Sequence, residues 1–269
     1  MLGFAESLVA ILGAFIPPAL VGIAVVWWAS RRVEARYLAA FAVGVYLWFF
    51  TDTISDSSFL GVDEGFGGGV SHVLLWLVFA LGLFLVFYTD REALSPGPTS
   101  TTLGFGVPLL VAFAVGMHGF GEGATIGATA AGTPSTSLVE AFGGPAAAVG
   151  FVLHKGLEPM MVGAAYVIYA RGHSKDLAGR AGDLVILALV FAIPGIIGGA
   201  SAYFVVQVLP GADFTYFFAF GLGTSIYALF RLARVLFETG GPSSRDTLKA
   251  ALAILLGFTC LYLAALLHS

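Results

Sequence analysis

Two short stretches of this chain set a histidine and a glutamate four residues apart: His118-Gly119-Phe120-Gly121-Glu122-Gly123 and His154-Lys155-Gly156-Leu157-Glu158-Pro159. On an α-helix an i, i+4 pair lies on one face, one turn apart. Both stretches fall inside long apolar segments, where an ionisable side chain is expensive and marks a functional site by default. If the two helices lie side by side, His118, Glu122, His154 and Glu158 bring two imidazoles and two carboxylates to one point. That donor set suits a divalent transition metal: imidazole favours zinc, iron, nickel or copper, and carboxylate adds charge and accepts harder ions. The plainer alternative is two separate interhelical hydrogen-bonded pairs, with the glutamates neutralised by a histidine or by Lys155. Two matching motifs in successive segments favour the metal. Gly119, Gly121, Gly123 and Gly127 around one motif, and Gly150, Gly156 and Gly163 around the other, permit close backbone approach.

The elements that must hold these residues are membrane helices. The chain has 269 residues, of which 58% are hydrophobic and only 10% charged, and its mean hydropathy is +0.95. A soluble domain is about a quarter charged. Apolar stretches over 5–28, 37–57, 70–89, 104–130, 145–170, 184–208, 213–236 and 247–267 nearly exhaust the length, and each is long enough to cross a bilayer. The expected fold is therefore all-α: a polytopic membrane protein, one transmembrane domain over 1–269, with eight spans. Three precede the two motif-bearing spans and three follow, a 3+2+3 arrangement. His118 lies about 14 residues into its span and His154 about nine, so at ~1.5 Å per residue both fall in the middle half of a ~30 Å hydrocarbon layer.

Charge sets the orientation. Connections after the odd-numbered spans, with their flanking helix ends, hold Arg31, Arg32, Arg36, Arg91, Arg171, Lys175, Arg180, Arg231, Arg234, Arg245 and Lys249. Those after the even-numbered spans hold no lysine or arginine. Positive loops stay in the cytoplasm, which puts both termini outside. Residues 1–10 include Glu6 and no lysine or arginine, so they read as the first span rather than a cleavable signal peptide. With no targeting segment, the plasma membrane is the expected location. Pro18 and Gly22 in the first span echo Pro194 and Gly198 in the sixth; these two spans run in opposite directions, as in an inverted repeat around a central pair. The single cysteine, Cys260, rules out an internal disulfide and any CxxC thiolate cluster. A basic surface for nucleic acid is absent.

His-x-x-x-Glu-Gly on the fourth of eight spans and His-x-x-x-Glu on the fifth resemble the ZIP (Zrt/Irt-like) metal transporters. Members typically carry HNxPEG on the fourth span and a related HNxPEG or HxxxE on the fifth. The resemblance extends to the whole topology, while its specific motifs cover only residues 118–159. It implies that His118, Glu122, His154 and Glu158 form the main transport site. The cargo would be zinc, with iron or manganese as alternatives, delivered into the cytoplasm without a prosthetic group. A homodimer and an elevator-like alternating access are further implications. The family's asparagine is Gly119 here, and its motif proline is Gly121. In two-metal members the residue after the second histidine helps hold a second ion; here it is Lys155. An ammonium ~4 Å from a second, divalent cation would repel it by about 8 kcal/mol at an effective dielectric constant near 20. One central metal is expected, with Lys155 a fixed cation paired to Glu122 or Glu158.

Asp52 and Asp56, a second i, i+4 acidic pair, end the second span. They read either as an entrance that concentrates cations or as a solvated helix end. Asp63, Glu64 and His72 flank the next span on the same side, where the two acids read as solubilising a loop. The connection from Asp90 to Thr102 holds no histidine, unlike the histidine-rich loop of many ZIP proteins, so metal buffering there is not expected. His173 and His268 read as surface and interfacial residues. The competing function is a membrane-embedded zinc-dependent hydrolase in which one glutamate activates water, although no HExxH pattern is present. A haem held by His118 and His154 would leave two buried glutamates without a task. Metal binding should weaken between about pH 7 and pH 5, because its ligands must be deprotonated.

Overall fold

A computed structural model describes residues 3–56, 69–91, 104–132, 139, 144–171, 177–209, 214–238 and 244–267. The regular structure among them is helical: α1 Phe4–Ala29, α2 Ala35–Asp56, α3 Gly69–Thr89, α4 Gly106–Gly116, α5 His118–Gly132, α6 Pro145–Leu157, α7 Pro159–Arg171, α8 Leu177–Val208, α9 Thr215–Glu238 and α10 Ser244–Ala265. A helix satisfies its own backbone hydrogen bonds, which is what an apolar solvent demands. Only Met117 separates α4 from α5, and only Glu158 separates α6 from α7. These two interrupted units carry the paired motifs.

Among the described residues, seven stretches are long and apolar enough to cross a membrane: Phe4–Ala29, Ala35–Ile54, His72–Thr89, Gly106–Gly132, Gly179–Val208, Thr215–Arg234 and Arg245–Ala265. The chain is a multi-pass membrane protein. The unit formed by α6 and α7 falls short on apolarity because His154, Lys155 and Glu158 sit near its middle. Its environment explains why this is tolerated. Met161 to Val167 on α7 are buried without interruption, so protein rather than lipid surrounds them. α3 is the opposite case, presenting Trp76, Leu81, Phe84 and Tyr88 outward, each more than half exposed. A face like that needs a hydrocarbon solvent.

The helix ends lie within a few residues of the ends of the apolar stretches, except that α8 begins at Leu177 where the stretch starts at 184. The added turns carry Arg180 and Asp183. Asp183 is buried and accepts the Tyr166 hydroxyl at 3.0 Å, tying the start of α8 to α7.

Beside a core of large side chains such as Tyr46, Phe49, Tyr166 and Phe191, several helix pairs meet backbone to backbone at glycine. On α5 and α8, Gly123 faces the Gly195 carbonyl, Gly127 faces the Gly199 carbonyl, and Gly198 faces the Phe120 carbonyl. On α2 and α10, Gly44 faces the Ile254 carbonyl while Gly257 faces the Phe41 carbonyl. On α3 and α9, Gly82 faces the Phe220 carbonyl while Gly223 faces the Phe79 carbonyl. In both of the last two pairs each glycine touches the carbonyl three residues before the other glycine. A Cβ at any of these positions would overlap backbone. Without a hydrophobic drive between helices in lipid, such contact is what holds them together.

Candidate metal centre

The α4–α5 unit delivers His118 as the first residue of α5, directly after the interruption at Met117. Gly221 of α9 lies against the His118 backbone, where any side chain would collide with it. The imidazole is 1% exposed and sits edge-on to the rings of Phe49 and Phe218, at centroid distances of 4.7 and 5.4 Å. One turn on, Glu122 places Oε1 3.3 Å from His118 Nε2. The anticipated i, i+4 stacking is realised.

The second unit works the same way. His154 and Lys155 lie in the last turn of α6, and Glu158 occupies the joint before Pro159. Proline has no N–H to return to the carbonyl four residues back, so Lys155 loses its ladder partner and the helix is weakened at the site. His154 Nε2 lies 2.8 Å from Glu158 Oε1. Glu158 and Lys155 are wholly buried.

The two units converge. One ligand atom each from His118, Glu122 and Glu158 lie within 4.8 Å of one another, and His154 adjoins this group through Glu158. Lys155 sits between the carboxylates, its ammonium 2.7 Å from Glu158 Oε2 and in contact with Glu122 Oε2. It therefore pairs with both glutamates rather than with one. Zinc–nitrogen and zinc–oxygen bonds of ~2.0–2.2 Å put ligand atoms some 3–3.5 Å apart, so small side-chain adjustments would close the three donors on one ion.

Thr53 was not singled out by its sequence context. Its hydroxyl donates to the Phe49 carbonyl at 2.8 Å, and its oxygen stands 3.3 Å from His118 Nδ1. A threonine has one hydroxyl proton. With that proton on Phe49, the Thr53 oxygen is left to accept from His118 Nδ1, which fixes the ring with Nε2 toward Glu122. A hydrogen bond on the far nitrogen is how metal-ligating histidines are usually oriented.

Asp52 is closer to the centre than an entrance residue need be. Its Oδ2 lies 3.9 Å from His154 Nε2 while the side chain remains 26% exposed. Glu122 is 11% exposed and Glu158 fully buried, so the acids step inward from a partly open rim. His72 lies near the start of α3 and is half-buried. The side chain of Asp56 and the residues Asp63, Glu64, His173 and His268 lie outside what is described.

A second buried ionic group was also not anticipated. Asp90, just past α3, accepts from Tyr227 Oη at 2.6 Å and from Arg231 Nε at 2.8 Å, with Arg231 Nη2 in contact as well. Both charged residues are nearly inaccessible. In sequence Asp90 adjoins Arg91 at the mouth of a polar connection and gives no sign of burial.

Compared with known proteins, the chain matches no family model and no curated protein.

Proposed function

We propose that this protein carries a divalent transition-metal ion, zinc first and iron or manganese as alternatives, across the membrane into the cytoplasm. The observation that carries the reading is the convergence of His118, Glu122 and Glu158 from two interrupted helices, with His154 beside them. The paired alternative, each glutamate neutralised by a histidine or by Lys155, accounts for the charges but not for the gathering of both motifs at one point. The joints at Met117 and Glu158 give each motif helix a place to flex.

The reading includes eight spans in a 3+2+3 order, both termini outside, in the plasma membrane. In favour of the eighth span, the α6–α7 unit has 13 residues on each side of the joint, enough for ~40 Å at 1.5 Å per residue. The glycine contacts speak for an inverted repeat. The reciprocal pattern joining α2 to α10 recurs between α3 and α9, as it would if the first three spans and the last three were related by a two-fold axis in the membrane plane. Gly22 of α1 lies against the Gly156 carbonyl, and Gly198 of α8 against the Phe120 carbonyl, so each proline-containing helix braces one motif helix. Together with the motifs this supports likeness to the ZIP transporters, and with it a homodimer. In this orientation Asp52 opens outward and the path leads inward from Asp52 past Glu122 to Glu158.

The test is metal uptake into proteoliposomes. Wild-type protein should show saturable zinc or iron flux, and His118→Ala and Glu158→Ala should each abolish it. Hydrolysis of a lipid or peptide without flux would replace transport with the zinc-hydrolase reading.

A further inference from the structure

Transport as proposed leaves Lys155 without a task, since an ammonium is no metal ligand. Yet it is fully buried, and its surroundings are specific. Nζ lies 2.7 Å from Glu158 Oε2, touches Glu122 Oε2, and stands 5.6 Å from the centre of the Phe15 ring. The other oxygen of each glutamate faces its own motif histidine, His118 for Glu122 and His154 for Glu158. The ammonium thus bridges the two acids that a metal would need to share. It stands where a bound cation would stand.

A carrier that has released its cargo must cross back with the site empty. Two carboxylates left bare at mid-membrane would oppose that step, because an uncompensated buried charge is strongly destabilising. We propose that Lys155 is a tethered substitute for the cargo: its ammonium takes both carboxylates when the metal leaves and gives them up when the next ion arrives. The face of Phe15 offers the displaced ammonium a cation–π seat on the same side. Two glutamates and one lysine leave a net charge of −1 on the empty site, enough to attract a divalent ion, and the swap needs no counter-cargo on the return. This rests on the metal-transport reading of the site.

The experiment compares net uptake with metal-for-metal exchange in proteoliposomes, using zinc inside and outside for exchange and outside only for net uptake. In the wild type the two rates should lie within about threefold of each other, since the empty carrier returns readily. In Lys155→Gln the ratio of net uptake to exchange should fall about tenfold or more, while zinc affinity in detergent, freed of its competitor, rises by a similar factor. Lys155→Arg, which keeps the charge, should hold the ratio near the wild-type value and serves alone if the glutamine variant does not fold. The proposal is overturned if exchange outruns net uptake strongly in the wild type, if Lys155→Gln lowers both rates in proportion, if its zinc affinity drops, or if Lys155→Arg behaves like the glutamine variant. No saturable flux in the wild type would remove the transport reading and this one with it. Normal wild-type flux with an unchanged ratio in Lys155→Gln would remove this one alone.

Discussion

His154 Nε2 stands 2.8 Å from Glu158 Oε1 and 3.9 Å from Asp52 Oδ2, so one imidazole touches a fully buried acid and a partly exposed one. This gives Asp52 a share in capture as well as in attraction. Asp52→Asn should raise the zinc concentration for half-maximal uptake about three- to tenfold and leave the maximal rate close to wild type, because a rim charge raises the local cation concentration. Initial rates over a zinc series would check this. A fall in maximal rate with unchanged half-saturation would assign Asp52 to the central site instead.

Thr53 should matter through His118. Thr53→Val keeps the shape and removes the acceptor at Nδ1, freeing the ring to rotate or change tautomer. Loss of such an orienting partner typically weakens metal binding about 10- to 100-fold. Isothermal titration of the purified variant with zinc should show that loss, with unfolding temperature little altered. Thr53→Ser, which retains the hydroxyl, should stay near wild type.

Alanine at Gly123 or Gly127 should destabilise the protein by about 1–3 kcal/mol, since each Cβ would meet the backbone of α8 and neither helix can give way cheaply. The same change at Gly13, where nothing lies within 4 Å of the added carbon, should be neutral or mildly stabilising, as alanine is the better helix former. Thermal unfolding in detergent would separate the two classes. Equal effects at Gly13 and Gly123 would mean that α5 and α8 are not packed backbone to backbone.

Arg231→Met should cost about 3–5 kcal/mol, because it strands Asp90 as a buried charge. The double change Asp90→Leu with Arg231→Met should recover much of that loss. A double-mutant cycle by denaturant unfolding gives the answer directly. Additive effects would show that the Asp90–Arg231 contact contributes nothing.

The fold was legible because lipid permits so few solutions. Long apolar stretches with little charge become helices, and their ends lie close to where charge and proline put them. The α6–α7 unit shows the limit of that logic. Hydropathy alone undervalues it, since a helix enclosed by others is free to carry His154, Lys155 and Glu158. The i, i+4 spacing exposed both motifs, and turn geometry brought each histidine to its glutamate as expected. What spacing does not encode is which distant residue stands behind a ligand. Thr53 and Asp52 reach the site from α2 through the packing of that helix, and Asp90 meets Arg231 across 141 positions of chain. A lysine beside a motif histidine announces a charge but not its partners. Only the crossing of the two units shows that both glutamates claim it.

The matched glycines between α2 and α10, and between α3 and α9, carry a mechanical consequence. Where main chains nest at two points, sliding by even one residue would drive a side chain into a carbonyl. Each couple is therefore locked against sliding. A disulfide engineered across either couple should leave metal flux unharmed, whereas one joining α2 to α7 would be expected to arrest it.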